Sequence, residues 1–260
     1  MKPVCLVVGA GAGIGAHVAR KFADSGYHTC ATRRTNQAGL DQLVDQIKRS
    51  GGKATGFLSN IANENSIEEL VLEIEGSIGP IEVVVYNIGA QIGDRSLKET
   101  SAKMFELGWR LGTFGLFRLA SILLPLMEKR GSGNLLVTSA TASMRGNAGQ
   151  HSHASAMAGR RMLCQTLNAE YGAKGVHVCH IVIDGIVDAP DTVGLMLGSE
   201  KFEALRRERG MEKDGLLLPS AVAETYLHIT RQHRSAWTHE LDIRPFSELP
   251  WWNSEKKPGL

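Results

Sequence analysis

The chain has 260 residues, 43% of them hydrophobic and 22% charged, with a formal net charge of +2, enough length to bury one large α/β core. The near-balanced charge excludes the basic footprint of a nucleic-acid binder, and no uninterrupted apolar stretch is long enough to span a bilayer. Met1-Lys2-Pro3 runs directly into a strand pattern without room for a signal peptide, so the cytoplasm is the expected compartment.

The first strand pattern covers residues 4–8 and leads into the turn Gly9-Ala10-Gly11-Ala12-Gly13-Ile14-Gly15, after which a helical pattern runs over 15–25. Strand, glycine turn and helix start together expose backbone N–H groups and a positive helix end to a diphosphate. Glycine there gives space as well as conformational freedom, so Gly9, Gly11, Gly13, Ile14 and Gly15 are candidate cofactor contacts. Strand patterns follow at 28–32, 53–58, 81–86, 134–138, 176–183 and 236–243. Helical patterns separate them at 40–50, 66–78, 104–129, 154–171 and 220–231. Glycines at 26, 51, 52, 79, 131 and 172 stop the helices. Such alternation predicts a parallel sheet covered by helices on both faces.

No composition shift or repeat divides the chain, so residues 1–260 are expected to form a single Rossmann-type, doubly wound α/β domain. Residues 188–218 break the rhythm; inserted after a strand's carboxyl end, they would lie over the ligand crevice as a substrate lid or as a plain surface helix. Cys5, Cys30, Cys164 and Cys179 contain no CxxC pair and are expected to be reduced, buried hydrophobes. The basic runs Arg206-Arg207 with Arg209, and Lys256-Lys257, are expected to be solvated.

Several motifs in order give the chain a resemblance to the short-chain dehydrogenase/reductase family over nearly its full length. Gly9-xxx-Gly13-x-Gly15 matches that family's cofactor turn, with Val8 where threonine is usual. Asn87-Ile88-Gly89-Ala90 resembles its Asn-x-Gly motif, Ser139 falls on its catalytic serine, and Asp184-Gly185 replaces Pro-Gly. The resemblance implies a mostly parallel seven-stranded sheet, NAD(P)-linked hydride transfer on a small carbonyl or alcohol, and a homodimer or homotetramer. In such a fold an acid after the second strand would bind the ribose 2′-hydroxyl. Thr32-Arg33-Arg34 stands there instead, and a guanidinium pairs with phosphate, so Arg33 and Arg34 favour NADP(H). Asn60 takes an adenine-contacting position, Asn87 and Gly89 wall the nucleotide, and Met157 and Ile186 also fall beside the cofactor.

The catalytic half departs from the family. Its Tyr-xxx-Lys pair is replaced by His153 and Met157, and its helix asparagine by Trp109, which leaves Ser139 alone of four. Methionine supplies neither charge nor a donor, so the usual proton relay is absent. Imidazole is a competent general acid or base, so His153 could take the tyrosine's task with His151 assisting. Equally, His153 could line a site that has lost its chemistry. The expectations are an NADP(H)-dependent oxidoreductase with Ser139 and His153 as its catalytic pair, a cofactor-binding protein without turnover, or an isomerase or lyase. The substrate would lie under Met144, Val187 and residues 188–218. His151-x-His153 lacks the spacing and neighbours of a metal site. The aromatic end, with Trp237, Phe246, Trp251 and Trp252, is expected to meet a neighbouring subunit.

Overall fold

The computed structural model describes residues 2–89, 95–210 and 213–253. Ala90, Lys256 and Lys257 therefore lie outside the described residues. The seven strands are β1 (Val4–Val8), β2 (His28–Arg33), β3 (Lys53–Leu58), β4 (Ile81–Tyr86), β5 (Gly133–Ala140), β6 (Val176–Ile183) and β7 (Glu240–Ile243). They form one sheet in the order β3-β2-β1-β4-β5-β6-β7, with every neighbouring pair parallel. Strand order reverses between β1 and β4, and a crevice for a ligand opens beyond the carboxyl ends of strands at such a point.

The helices are α1 (Ile14–Asp24), α2 (Gln37–Arg49), α3 (Ser66–Ser77), α4 (Ala102–Trp109), α5 (Gly115–Arg130), α6 (His151–Tyr171), the single turn α7 (Leu195–Leu197), α8 (Ser199–Arg209) and α9 (Pro219–Thr230). Successive β1 side chains feed opposite layers. Val4, Leu6 and Val8 pack with Leu70, Ile74, Leu119 and Leu123 on one face. Cys5 and Val7 pack with Phe22, Leu40, Val222 and Tyr226 on the other. Both faces are covered, so the strand reads as one continuous apolar run. All four cysteines are buried free thiols.

The helix expected over 104–129 is a composite. A wide π turn at Arg110–Phe114 joins α4 to α5. Two carbonyls within it are taken from outside: the Tyr86 hydroxyl donates to Leu111 and the Arg160 Nε donates to Gly112. The run Ala102–Arg130, 29 residues long, contains an 18-residue window with a mean hydropathy of 1.4, which by length and composition alone matches a membrane span. Its buried face, Leu116, Leu119, Leu123, Leu124 and Met127, is occupied by the sheet.

β7 begins at Glu240, later than residue 236, because Arg234–Ala236 forms a 3₁₀ turn and Trp237 stacks on His177 at 4.7 Å. After β6 the chain leaves the sheet and returns. A parallel bridge pairs Val187 with Leu217, with Leu217 N donating to Ile186 O and Asp188 N to Leu217 O. The intervening residues carry the π turn Pro190–Gly194, then α7 and α8.

Candidate active site

The glycine turn is shaped by backbone contacts. Gly9 has φ +93°, and a Cβ there would stand 2.9 Å from Asn87 O. Asn87 fastens the turn from the other side, its N donating to Val8 O and its Nδ2 to Gly9 O, both at 2.9 Å. A Cβ on Gly15 would come within 2.2 Å of Gly9 O, so only glycine lets α1 start this close to β1. No side chain caps α1 and no acid stands in its first turn, which leaves the positive helix end for an anion. Thr192 leans over this turn: a Cβ on Gly13 would lie 3.1 Å from its Oγ1, and one on Gly11 3.9 Å from its Cγ2.

A cleft of about 630 Å³ opens here, within the usual size range of ligand sites. Gly9, Gly11, Arg33, Arg34, Asn60, Asn87 and Gly89 all line it. Gly13, Ile14, Gly15, Met157 and Ile186 stand outside that lining. The first three shape the turn, and Ile186 holds the bridge to Leu217. Asp191, Thr192 and Leu195 bring the post-β6 segment onto the cleft, a contribution that sequence periodicity did not single out.

Arg33 is half-buried. Its Nε donates to Ala10 O at 2.9 Å, and its Nη1 lies where a Cβ on Gly39 would be, 2.1 Å away. Burial, with the nearby Arg20 cation, lowers the Arg33 pKa, so the site holds positive charge at a cost that an anion would relieve. Asn36 caps α2 by accepting from Gly39 N at 2.9 Å, which sets Arg33 and Arg34 around a second helix start. The Asn60 amide is occupied within its own loop, donating to Asn63 Oδ1 at 3.1 Å and accepting from Ala62 N at 3.3 Å. A Cβ on Gly89 would meet nothing within 4 Å, so space does not require glycine there.

Ser139 and His153 also stand outside the lining of the cleft; Ser139, on β5, is 5% exposed and donates to Met157 Sδ at 3.8 Å. His153 and Met157 lie one turn apart on the buried face of α6, and Ala140, Ala142 and Ala156 pack around Met157. The helix is fixed from the π turn by Thr113, whose hydroxyl donates to Ala156 O at 2.7 Å. Trp109, at the position of the expected asparagine, is turned aside and stacks on Phe114 at 5.2 Å. His151 begins α6, three residues before the helix start expected at 154.

Trp251 and Trp252 pack against residues that follow β5, β6 and β7. Asp184 accepts from Trp251 N at 3.1 Å, Arg145 Nη1 donates to Trp251 O at 2.8 Å, and Arg244 lies 4.7 Å over the Trp252 ring. Burial raises the Asp184 pKa above the ordinary carboxylate value. Part of the aromatic end thus packs on its own subunit. Two of the arginines expected to be solvated are tethers: Arg206 pairs with Asp188 at 2.9 Å, and Arg209 with Glu248 at 2.7 Å.

The site residue that sequence reading missed is Arg160. It is 1% exposed and hydrogen-bonds the carbonyls of Gly112, Thr138 and Ile88. Its signal was periodicity: positions 153, 157, 160 and 164 form one buried stripe on α6, and an arginine on such a stripe needs partners.

Comparison with known proteins gives a family profile described as short chain dehydrogenase over residues 3–193. The chain is 26% identical over 241 residues to the 3-oxoacyl-acyl-carrier-protein reductase of Thermotoga maritima, covering 92% of this chain and 94% of that protein. A crystal structure of a short-chain dehydrogenase from Rhodopseudomonas palustris is 31% identical with a TM-score of 0.78, over 94% of this chain and 99% of that one. Actinorhodin polyketide ketoreductase, solved with NADPH, has a TM-score of 0.82 at 21% identity over 94% of this chain and 96% of that one, a likeness of fold.

Proposed function

The chain belongs to the short-chain dehydrogenase/reductase family of oxidoreductases, and from that premise we propose that it binds NADP(H) and interconverts a carbonyl and a secondary alcohol through Ser139 and His153. The observation that carries this reading is the single cleft joining Arg33 and Arg34 to the Gly9–Gly11 turn and to Asn87–Gly89. The residues present fit a dinucleotide phosphate. Backbone N–H groups and the uncapped α1 start suit the diphosphate, and paired guanidiniums at the α2 start suit a 2′-phosphate. Ile88 and Leu111 line the same cleft. When bound, the cofactor supplies or accepts hydride, and the protein's task is orientation and one proton.

Ser139 Oγ is the group that would orient the carbonyl oxygen. It sits near the carboxyl end of β5 and, among the described residues, donates to the weak acceptor Met157 Sδ, for which a substrate oxygen would be a stronger replacement. His153 would give the proton in reduction and take it in oxidation, its imidazole held on the buried face of α6. Residues 188–218 act as the lid, with Thr192 and Leu195 on the cleft and Arg206 tied to Asp188. A small-molecule substrate, a homodimer or homotetramer and a cytoplasmic setting complete the proposal.

The test mixes the protein with NADPH and a panel of aldehydes, diketones and 3-oxoacyl thioesters and follows oxidation of the reduced cofactor. His153→Phe should cut turnover by about a hundredfold or more while leaving NADPH affinity in place, the usual scale for losing a general acid. Tight NADPH binding with no turnover on any carbonyl would favour the reading without chemistry, and turnover without a change in cofactor redox state would favour an isomerase or lyase.

A further inference from the structure

Arg160 is a buried cation in the wall of the cleft. Ile88, whose carbonyl accepts from Nη2 at 2.8 Å, lines the cleft itself. Gly112, whose carbonyl accepts from Nε at 2.7 Å, directly follows the lining residue Leu111. Thr138, whose carbonyl accepts from Nη1 at 2.5 Å, directly precedes Ser139. The guanidinium therefore lies behind the partition between the cleft and the β5 serine. It also sits 5.1 Å from the Tyr86 ring centre, with the ring face toward the cation.

Its charge is held by backbone carbonyl dipoles and an aromatic face, and among the described residues no carboxylate hydrogen-bonds it. Arginine stays protonated in proteins, so this is a permanent charge without a neutralising partner in its immediate shell. Such a charge in a low-dielectric wall projects into the adjoining cavity. Met157, three residues earlier on the same helical face, is apolar and fills the space up to Ser139 Oγ.

The geometry points to Arg160 as a positioning residue that also sets the electrostatic character of the reaction end, so that the cleft favours a neutral nicotinamide over a cationic one. This rests on the NADP(H) reading: the ring carries positive charge only when oxidised. Arg160 thereby tilts the bound pair toward NADPH and the site toward reduction. The same charge accounts for an apolar residue at 157, where a second buried cation one turn away would be repelled.

The experiment measures Kd for NADP+ and for NADPH by calorimetry in the unmodified chain, in Arg160→Met and in Arg160→Lys. Arg160→Met should narrow the NADP+/NADPH Kd ratio about tenfold, the effect of a unit charge across roughly 10 Å at an effective dielectric near 20. Arg160→Lys keeps the charge and loses the fork, so it should lower Tm while holding the ratio. A folded Arg160→Met protein with an unchanged ratio overturns the proposal and leaves a mechanical brace only. If Arg160→Met does not fold, Met157→Lys in the otherwise intact chain takes its place: a second cation should widen the ratio, and an unchanged ratio overturns the proposal. If the unmodified chain binds neither coenzyme, the NADP(H) reading falls by itself. The charge proposal is then decided by Tm, since Met157→Lys should cost more with Arg160 present than in the Arg160→Met background. Equal losses in the two backgrounds overturn it.

Discussion

Around the β1–α1 turn, the contacts that shape the crevice have a backbone atom on at least one side: Ala10 N to Thr32 O, Asn87 N to Val8 O, Asn87 Nδ2 to Gly9 O, and Gly15 against Gly9 O. At the carboxyl end of β5 the shaping contacts are side chains: Met157 on Ser139, Thr113 on Ala156, and Arg160 on three carbonyls. The two regions are therefore constrained differently. A backbone mould admits almost no change in the residues that form it, because a single added carbon collides. A mould made of side chains can be refilled, provided volume and charge still balance. The turn therefore requires its glycines, whereas the positions held by His153, Met157 and Arg160 tolerate other side chains.

The sharpest way to break that contrast is at Gly15. Gly15→Val should cost more than about 3 kcal/mol, since the added atoms meet Gly9 O with no side chain free to yield. Gly89→Ala, where nothing lies within 4 Å, should leave Tm unchanged. Thermal denaturation of the two variants checks both, and equal losses would remove the argument from close approach.

The next effect separates stability from chemistry behind the reaction end. His180 is fully buried beside Glu240 at 3.0 Å, and burial pushes its pKa down from 6.5 to about 4. The unfolded chain takes up the proton near pH 6.5 while the folded chain resists until about pH 4, so stability falls as pH drops through that window. The loss should be about 3 kcal/mol in all, since each pKa unit is worth about 1.4 kcal/mol. Urea unfolding between pH 7 and pH 4 measures it, and His180→Gln should flatten the curve there. An acid limb in a turnover profile belongs to His153 only if it survives in His180→Gln.

A smaller effect tests the nucleotide end. Arg33→Asp should weaken NADPH by about 2 kcal/mol, roughly thirtyfold, relative to NADH, as one charge-assisted bond becomes a repulsion. Equal loss for both coenzymes would assign Arg33 to bracing Ala10 O instead. The smallest concerns Trp251: Asp184→Ala should cost about 1 kcal/mol and speed proteolysis near Trp251, whereas Asp184→Asn keeps an acceptor for Trp251 N and should cost less.

The parts of this molecule legible in its sequence are those governed by short-range rules. Strand patterns located all seven strands, most plainly β1, β2, β4 and β6, which cross the sheet buried on both faces, while the edge strands β3 and β7 are partly exposed. The glycine turn and Arg33-Arg34 were legible because strand, turn and helix follow one another directly. The π turn at Arg110–Phe114 was not, since it depends on Tyr86 and Arg160, distant in the chain, donating to its carbonyls. The late start of β7 follows from Trp237 stacking on a histidine some sixty residues away. Trp251 is held by Asp184 and Arg145, a connection that composition at the chain's end could not disclose.

The clasp between Val187 and Leu217 has a consequence for how such a protein can change. The described residues between Asp188 and Leu216 leave the sheet at this clasp and touch the rest of the molecule at Thr192, against the glycine turn, and at Arg209, paired with Glu248. Lengthening a tethered excursion of this kind carries only a slowly growing entropic penalty. Added length is therefore cheap between these contacts and costly at Thr192 and Arg209, where it would disturb the cleft and the Glu248 tether.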